Sequence, residues 1–536
     1  MNQTPAPIVF NGEWLWLGNL GHVFVILSFV ASLLSAIFYF QHEQNKLSNS
    51  LIWGKRFFRI HAAAIVAVFV VLFSIIFYHR YEFHYAWRHS SNSLPVYYMI
   101  SCFWEGQEGS FLLWLFWNAL IGLVLQRTAK DWESPVMVVV AFAQIALGSM
   151  LLGFHWGELK IGSSPFDLLR EQRPDFLNIP ILGQLGVGNY LQVFKDGNGL
   201  NALLQNYWMV IHPPTLFLGF ATAIVPFAYS IAALWRNNDR GWIAHALIWG
   251  LICVGILGLG IIMGGFWAYE ALSFGGYWAW DPVENASLMP WLIMASAAHM
   301  LIITKATGRH LFTSHLLTQL AFWLVLYATF LTRSGILGEA SVHSFTDLGL
   351  SGQLLLFLLA FLALGLVVVL QGMRSTQKSF DNHWTGQNPW VDETGKEIPG
   401  FIDSVAKRTE YYKALVRRYP NNPDSVWYQM KHVKRKMWVY SRNTLGEEEQ
   451  TMSAIDSINY YKRFLQAGMM TMDPYTGHIK AWVGGLDFKY FKYDHVKQSK
   501  RQAGSTFKPF VYTAAIDGPR DLSPCFSRRL DKISSF

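Results

Sequence analysis

A chain of 536 residues in which 52% are hydrophobic and 16% aromatic, with only 15% charged, reads first as a membrane protein. Its net charge of +8 is divided between short loops and the C-terminal part, which argues against nucleic acid as a partner. Cys102, Cys253 and Cys525 lie far apart and form no C-x-x-C, so neither a disulfide framework nor a thiolate metal site is expected.

Up to about Met373, apolar runs of roughly 20 residues recur, each long enough to cross a ~30 Å hydrocarbon core; after Ser375 none does. Nine spans are predicted, at 20–40, 60–78, 107–126, 134–154, 210–234, 242–262, 287–304, 315–332 and 350–370. No Lys or Arg precedes Lys46, so the first span lacks the basic start of a signal peptide and is expected to be retained. Lys46, Lys55, Arg56 and Arg59 follow it, and the positive-inside bias places that loop in the cytoplasm and the N-terminus outside. Arg127 and Lys130, Arg236 and Arg240, and Lys305 and Arg309 agree with this scheme. The segments 155–205, 263–291 and 333–349 then lie outside.

The third-span entrance, Phe103-Trp-Glu-Gly-Gln-Glu-Gly-Ser110, has glycines that permit close backbone approach and two acids that are not expected to face lipid. His212, in Trp-Met-Val-Ile-His-Pro-Pro, sits where a span begins, with Pro213 and Pro214 suited to a first helical turn. His343, in Ser-Val-His-Ser-Phe, follows Thr332-Arg-Ser-Gly335 just past another span. Either imidazole alone is more often an interfacial polar residue than a metal ligand. His84, His89 and His155 read as solvated or interfacial. His299 is placed inside a span, where polar groups are costly and usually functional.

Between the sixth and seventh spans runs MGGFWAYEALSFGGYWAWDPVENASLMPW, residues 263–291, without a single Lys or Arg. Aromatic rings gather at bilayer interfaces in any case, yet Gly275-Gly-Tyr-Trp-Ala-Trp-Asp-Pro-Val-Glu-Asn285 resembles the tryptophan-rich signature of the haem-handling proteins of cytochrome c maturation, and in particular the CcmF-like haem lyase subunit. Phe274 stands where that family usually has a Trp. The resemblance covers about residues 10–373. It implies a haem held against Trp278 and Trp280 beside Asp281, with His212 and His343 as the axial ligands of its iron. It also implies a haem chaperone, other maturation subunits and apocytochrome c as partners, in the bacterial inner membrane. In that family the position of His299 ligates a second haem, of b type. The partner for it lies in a later span that this chain does not contain, so that haem is not expected here.

From Ser375 the composition turns to Asn, Asp, Lys, Arg, Pro and Tyr, and 374–455 reads as a linker with short amphipathic helices over 403–418 and 424–436. Residues 465–485 read as strand, turn, strand around Asp473-Pro-Tyr-Thr-Gly477. Ser505 and Lys508 form an S-x-x-K pair, close enough on one helix face for the amine to take the hydroxyl proton. With Gly504-Ser-Thr-Phe-Lys-Pro509, the stretch 376–525 is similar to the linker and transpeptidase front of class A penicillin-binding proteins. The resemblance implies an acyl-serine site, but no S-x-N or K-T-G follows Lys508, and turnover is not expected. Nine spans from an outside start would also leave residue 376 in the cytoplasm, the wrong side for cell-wall chemistry. Two partial families meeting near residue 375 read as a recombined gene or an assembly error.

The expected fold is mostly α: a polytopic transmembrane helical bundle of about nine spans over 1–373, with an incomplete α+β transpeptidase-like fragment over 456–536. Three functions are open: haem presentation for cytochrome c biogenesis, a penicillin-binding acyl-serine transpeptidase, and a cofactor-free transporter or structural protein.

Overall fold

The computed structural model describes residues 8–157, 159–238, 240–270, 276–308, 310–337, 349–392, 394–441, 447–466, 468–472 and 478–498. Two compact units divide the chain, Met1–Met373 and Arg374–Phe536.

The first unit is helical. Its elements are α1 (Leu15–Asn45), α2 (Ser48–Phe77), α3 (His84–His89), α4 (Val96–Glu105), α5 (Gln107–Thr128) and α6 (Glu133–Ser149), then a small hairpin β1 (Phe154–Trp156) with β2 (Leu159–Ile161). The short α7 (Leu169–Gln172) and α8 (Pro180–Leu185) follow, then α9 (Tyr207–Arg236), α10 (Ile243–Glu270), α11 (Pro282–Thr307), α12 (Leu311–Arg333) and, as far as Met373, α13 (Ser351–His383). Eight helices among the described residues are long and apolar enough to cross a membrane. The ninth predicted span falls on α13, whose apolar stretch in that set is Ser351–Gly365.

Helices α1, α9, α11 and α12 outrun their predicted windows at both ends. Asn206 caps α9 by accepting from Trp208 N. Asp281 and Glu284 form a capping box on α11, with Pro282 at the first helical position. Pro213 and Pro214 are therefore not in a first turn: α9 already starts at Tyr207.

Helix α1 packs on α2 and α6, α9 on α5, α6, α10 and α12, and α11 on α10 and α12. Buried Phe58, Trp114, Phe227, Tyr229 and Phe322 fill the space between them. The core also encloses imidazoles. His61 is fully buried, with Nδ1 3.0 Å from Ser28 O and Nε2 2.8 Å from Gln144 Nε2; His315, 5% exposed, bonds Ser230 Oγ at 2.8 Å. Because the helices alternate in direction, the start of α1, the α2–α5 connection, the 159–206 segment, the ends of α10 and α12 and the starts of α11 and α13 gather at one end of the bundle. Arg170 to Glu13 (2.8 Å), Tyr190 to Glu13 (2.8 Å) and Trp14 N to Glu82 (3.1 Å) tie that end together.

Residues predicted as a linker form packed structure in the second unit. Helices α14 (Phe401–Lys407), α15 (Glu410–Arg418), α16 (Pro423–His432) and α17 (Ala454–Lys462) surround buried Ala406, Leu415, Val426 and Met430. A hairpin of β3 (Arg435–Tyr440) and β4 (Glu447–Met452) joins them. The predicted strand pair is present as antiparallel β5 (Met469–Met472) and β6 (Ile479–Val483), with a register shift at Thr471/Met472.

Candidate functional site

At the gathered end of the first unit lies a cavity of about 590 Å³, walled by the starts of α5, α9 and α11 and the ends of α10 and α12. One wall is the turn between α4 and α5. A Cβ on Gly109 would lie 1.6 Å from Phe103 O, so backbone approach requires that glycine, and one on Gly106 would lie 2.6 Å from the buried Tyr85 ring. Tyr85 Oη donates to Phe103 O (2.8 Å) and accepts from Gly106 N (3.2 Å), pinning this turn to α3. Burial first, and then the charges of Glu108 and Glu105, push the Tyr85 phenol up, which keeps it a donor.

His212 enters the cavity from the second turn of α9. Pro213 has no N–H for the Met209 carbonyl, and Trp104 Nε1 donates to that oxygen instead at 2.8 Å. Pro213 thus opens the helix, and the indole satisfies the carbonyl it leaves. His212 Nδ1 is 2.9 Å from Gly260 O; since a carbonyl only accepts, Nδ1 carries the proton and Nε2 is the ring's basic nitrogen. Gly264 lets the ring approach α10, for a Cβ there would stand 2.9 Å from His212 Cε1. Trp267 meets the imidazole edge-on at 5.8 Å.

A charged wall completes the cavity. His89 Nδ1 and Glu105 Oε2 are 2.9 Å apart, Glu108 accepts from Ser163 Oγ at 2.8 Å, and Arg88 and Arg333 also line the space. Arg333 is 5% exposed and lies over the rings of Phe111 (5.0 Å) and Phe217 (5.5 Å). Trp267 and Trp278 add indole rings to the lining, and the Nε1 of each is buried with no acceptor among the described residues.

The predicted site residues fare differently. His212 and Trp278 share the cavity. Trp280, 71% exposed and at φ 58°, stands outside its lining and meets Trp278 edge-on at 6.1 Å. Asp281 Oδ1 accepts from Val283 N at 2.8 Å, as the cap of α11. His299 is exposed on the outer face of α11, its Nδ1 bonded to Ala295 O at 2.8 Å, away from this cavity. His343, Ser505 and Lys508 lie outside the described residues. Sequence reasoning missed His89, which is 9% exposed and not solvated, because Arg88-His-Ser-Ser91 looks like a surface run. It also missed Arg333, which could have been flagged as a lone cation at the end of an apolar span.

Residues 104–337 match the family of cytochrome C assembly proteins. The chain is 32% identical to the cytochrome c-type biogenesis protein CcmF of Haemophilus influenzae over 361 residues, which is 66% of this chain and 50% of that protein. It is 33% identical to CcmF of Escherichia coli K12 over 306 residues, covering 56% and 42%. The chain thus spans about half the length of the curated relatives it matches. A solved structure, the cytochrome c heme lyase CcmF, shares the fold with a TM-score of 0.52 over 78% of this chain and 62% of that one, at 23% identity. Residues 385–465 match the middle domain of penicillin-binding proteins, which covers most of the predicted linker, 374–455, and the first ten residues of the fragment predicted after it.

Proposed function

We propose that this chain is a haem-handling membrane protein of cytochrome c biogenesis that presents haem for covalent attachment to apocytochrome c. The observation that carries the reading is the convergence of His212 and Trp278 on one cavity inside the stretch matching the cytochrome C assembly family. The cavity has the size of a small-molecule site, mostly apolar with a few convergent polar groups. Its residues fit a porphyrin. His212 Nε2 is a basic nitrogen suited to iron, held in orientation through Nδ1 by Gly260 O. Trp104, Trp267 and Trp278 add indole rings to the lining. Arg88 and Arg333 on the lining supply cationic charge suited to a ligand's carboxylates. Haem itself would supply the iron and the vinyl groups; the protein's part is to hold and orient it.

In this reading His343 would be the second residue to hold the iron. The gathered end of the bundle faces outward, following the positive-inside bias, with the N-terminus on the same side. Partners are the other maturation subunits, a haem chaperone and apocytochrome c. No b-type haem is proposed at His299, and no acyl-serine function at Ser505 and Lys508.

Purified full-length chain should carry haem with a bis-histidine absorbance spectrum. His212→Ala should remove at least about nine-tenths of it, since loss of a metal ligand costs far more than the 10–100-fold seen for outer-shell partners. An unchanged Soret band in His212→Ala would sink the proposal.

A further inference from the structure

The cavity holds an imidazole–carboxylate pair that the haem reading leaves without a task. His89 is 9% exposed, and its Nδ1 lies 2.9 Å from Glu105 Oε2. The carboxylate accepts, so Nδ1 carries the proton and Nε2 is the basic nitrogen. The Tyr85 ring holds the imidazole with centroids 4.6 Å apart. Next to Nε2 stands Gly106, where a Cβ would come within 2.8 Å of that nitrogen. Only a glycine lets the backbone of the wall pack this close to Nε2 and the Tyr85 ring. His89, Glu105 and Gly106 line the same cavity as His212 and Trp278.

We infer that His89, oriented by Glu105, is the proton-transfer residue for thioether formation in this cavity; the inference rests on the haem reading above. A cysteine thiol adds across a haem vinyl group. The new C–S bond forms at the vinyl carbon next to the porphyrin ring, and the C=C π bond breaks. His89 Nε2 takes the S–H proton and delivers a proton to the terminal vinyl carbon, which becomes a methyl group. Atoms and charge balance without an oxidant or reductant, and the imidazole ends as it began. Glu105 has the position of the third member of a catalytic relay: it fixes the tautomer and stabilises the imidazolium that forms in transit. A brace between α3 and α4 would need the same hydrogen bond, but not a basic nitrogen beside a glycine on the cavity wall.

The test uses the purified full chain in lipid nanodiscs, loaded with haem and given a synthetic Cys-x-x-Cys-His peptide anaerobically, so that its thiols stay reduced. Two quantities are read: haem occupancy from the Soret band, and thioether yield from the pyridine haemochrome spectrum and product mass. His89→Gln should keep occupancy within about twofold and slow thioether formation about 100-fold, in line with the contribution of a positioned acid–base. Added imidazole should restore part of the rate. Independently, diethyl pyrocarbonate should modify His89 in haem-free protein and lose that reaction when haemin is added. Wild type that binds no haem overturns the underlying reading. Wild type that binds haem and forms no thioether overturns this inference alone. So does a His89→Gln rate equal to wild type, a rate lost in proportion to haem, or a His89 that haemin does not protect.

Discussion

The two units solve the problem of holding polar groups in opposite ways. In the membrane unit the decisive bonds join residues distant in sequence, such as Trp104 with Met209, Ser163 with Glu108 and Tyr190 with Glu13. The second unit uses more bonds between neighbours: Thr409 caps at Tyr412, Ser453 and Asp456 form a capping box, and Ser441 reaches Glu448, beside a few longer ties such as Arg463 to Asn388 and Lys489 to Glu447. Long-range bonds enclose a cavity at the end of a bundle, whereas local ones close small helices and hairpins around a four-residue core. A cavity that binds something therefore depends on the first kind. The sharpest way to break this comparison is at the α4–α5 turn. Gly109→Val would drive a side chain into Phe103 O, since even a Cβ at that position would lie 1.6 Å from the oxygen, and should cost about 4 kcal/mol or more. Little monodisperse protein should survive detergent extraction and size exclusion; a normal elution profile with normal haem would show that the turn does not shape the cavity.

The next effect separates the units. Met430 is fully buried among Ala406, Leu415 and Val426, so Met430→Ala should cost about 2–5 kcal/mol, most of what a core this small supplies. Limited proteolysis of the full chain should then cut within 400–460 and leave the membrane unit intact. Equal protease resistance of mutant and wild type would mean that this core does not hold the second unit together.

How far these features were legible follows from the same contrast. Apolar runs announce helices locally, so the membrane bundle and its alternating ends could be read directly, and the His212–Trp278 association came from motif resemblance. The charged wall could not be read in this way. His89 meets Glu105 through the fold of a turn, and its Arg-His-Ser-Ser surroundings carry a surface composition. Pro213 suggested a helix start; in the folded chain the carbonyl it leaves without a donor is met by Trp104, a partner more than a hundred residues away, as no local rule foresees. In the second unit, β4 begins Glu447-Glu-Glu449, a poor strand sequence that is tolerated because Lys489 pairs with Glu447 and Lys436 with Glu449 across the hairpin's edge.

A smaller perturbation decides what Asp281 does. As the cap of α11 it should be replaceable by Asn, which accepts the same N–H bond, whereas Asp281→Ala should lose about 1 kcal/mol of helix stability. Haem absorbance retained in Asp281→Asn, with a lower melting temperature only in the Ala variant, is the expected pair of results. Haem lost in the Asn variant would assign the carboxylate to the ligand instead.

The subtlest effect is a pH dependence confined to the gathered end. His84 starts α3, and its N donates to Asp167 O at 2.9 Å, joining that helix to the 155–205 segment. Burial first, then the charges of Arg88, His89 and Arg173, bring its imidazole down to about 4. A folded-state value below the ordinary one means that the fold prefers the neutral ring. Between pH 6.5 and 4 the unfolded chain takes up a proton that the folded chain refuses, so this contribution to stability is present above that window and is lost as pH falls through it. Discounted for the ring's partial exposure, the effect is on the order of 1–2 kcal/mol. Burial pushes Asp167 the other way, up to about 6, so wild type alone shows only the sum of the two. The informative quantity is the difference in melting temperature between about pH 7 and about pH 4.5, wild type against His84→Gln. The drop should be smaller in the variant, because a glutamine side chain has no proton to take up; equal drops would show that His84 is not held neutral by its packing.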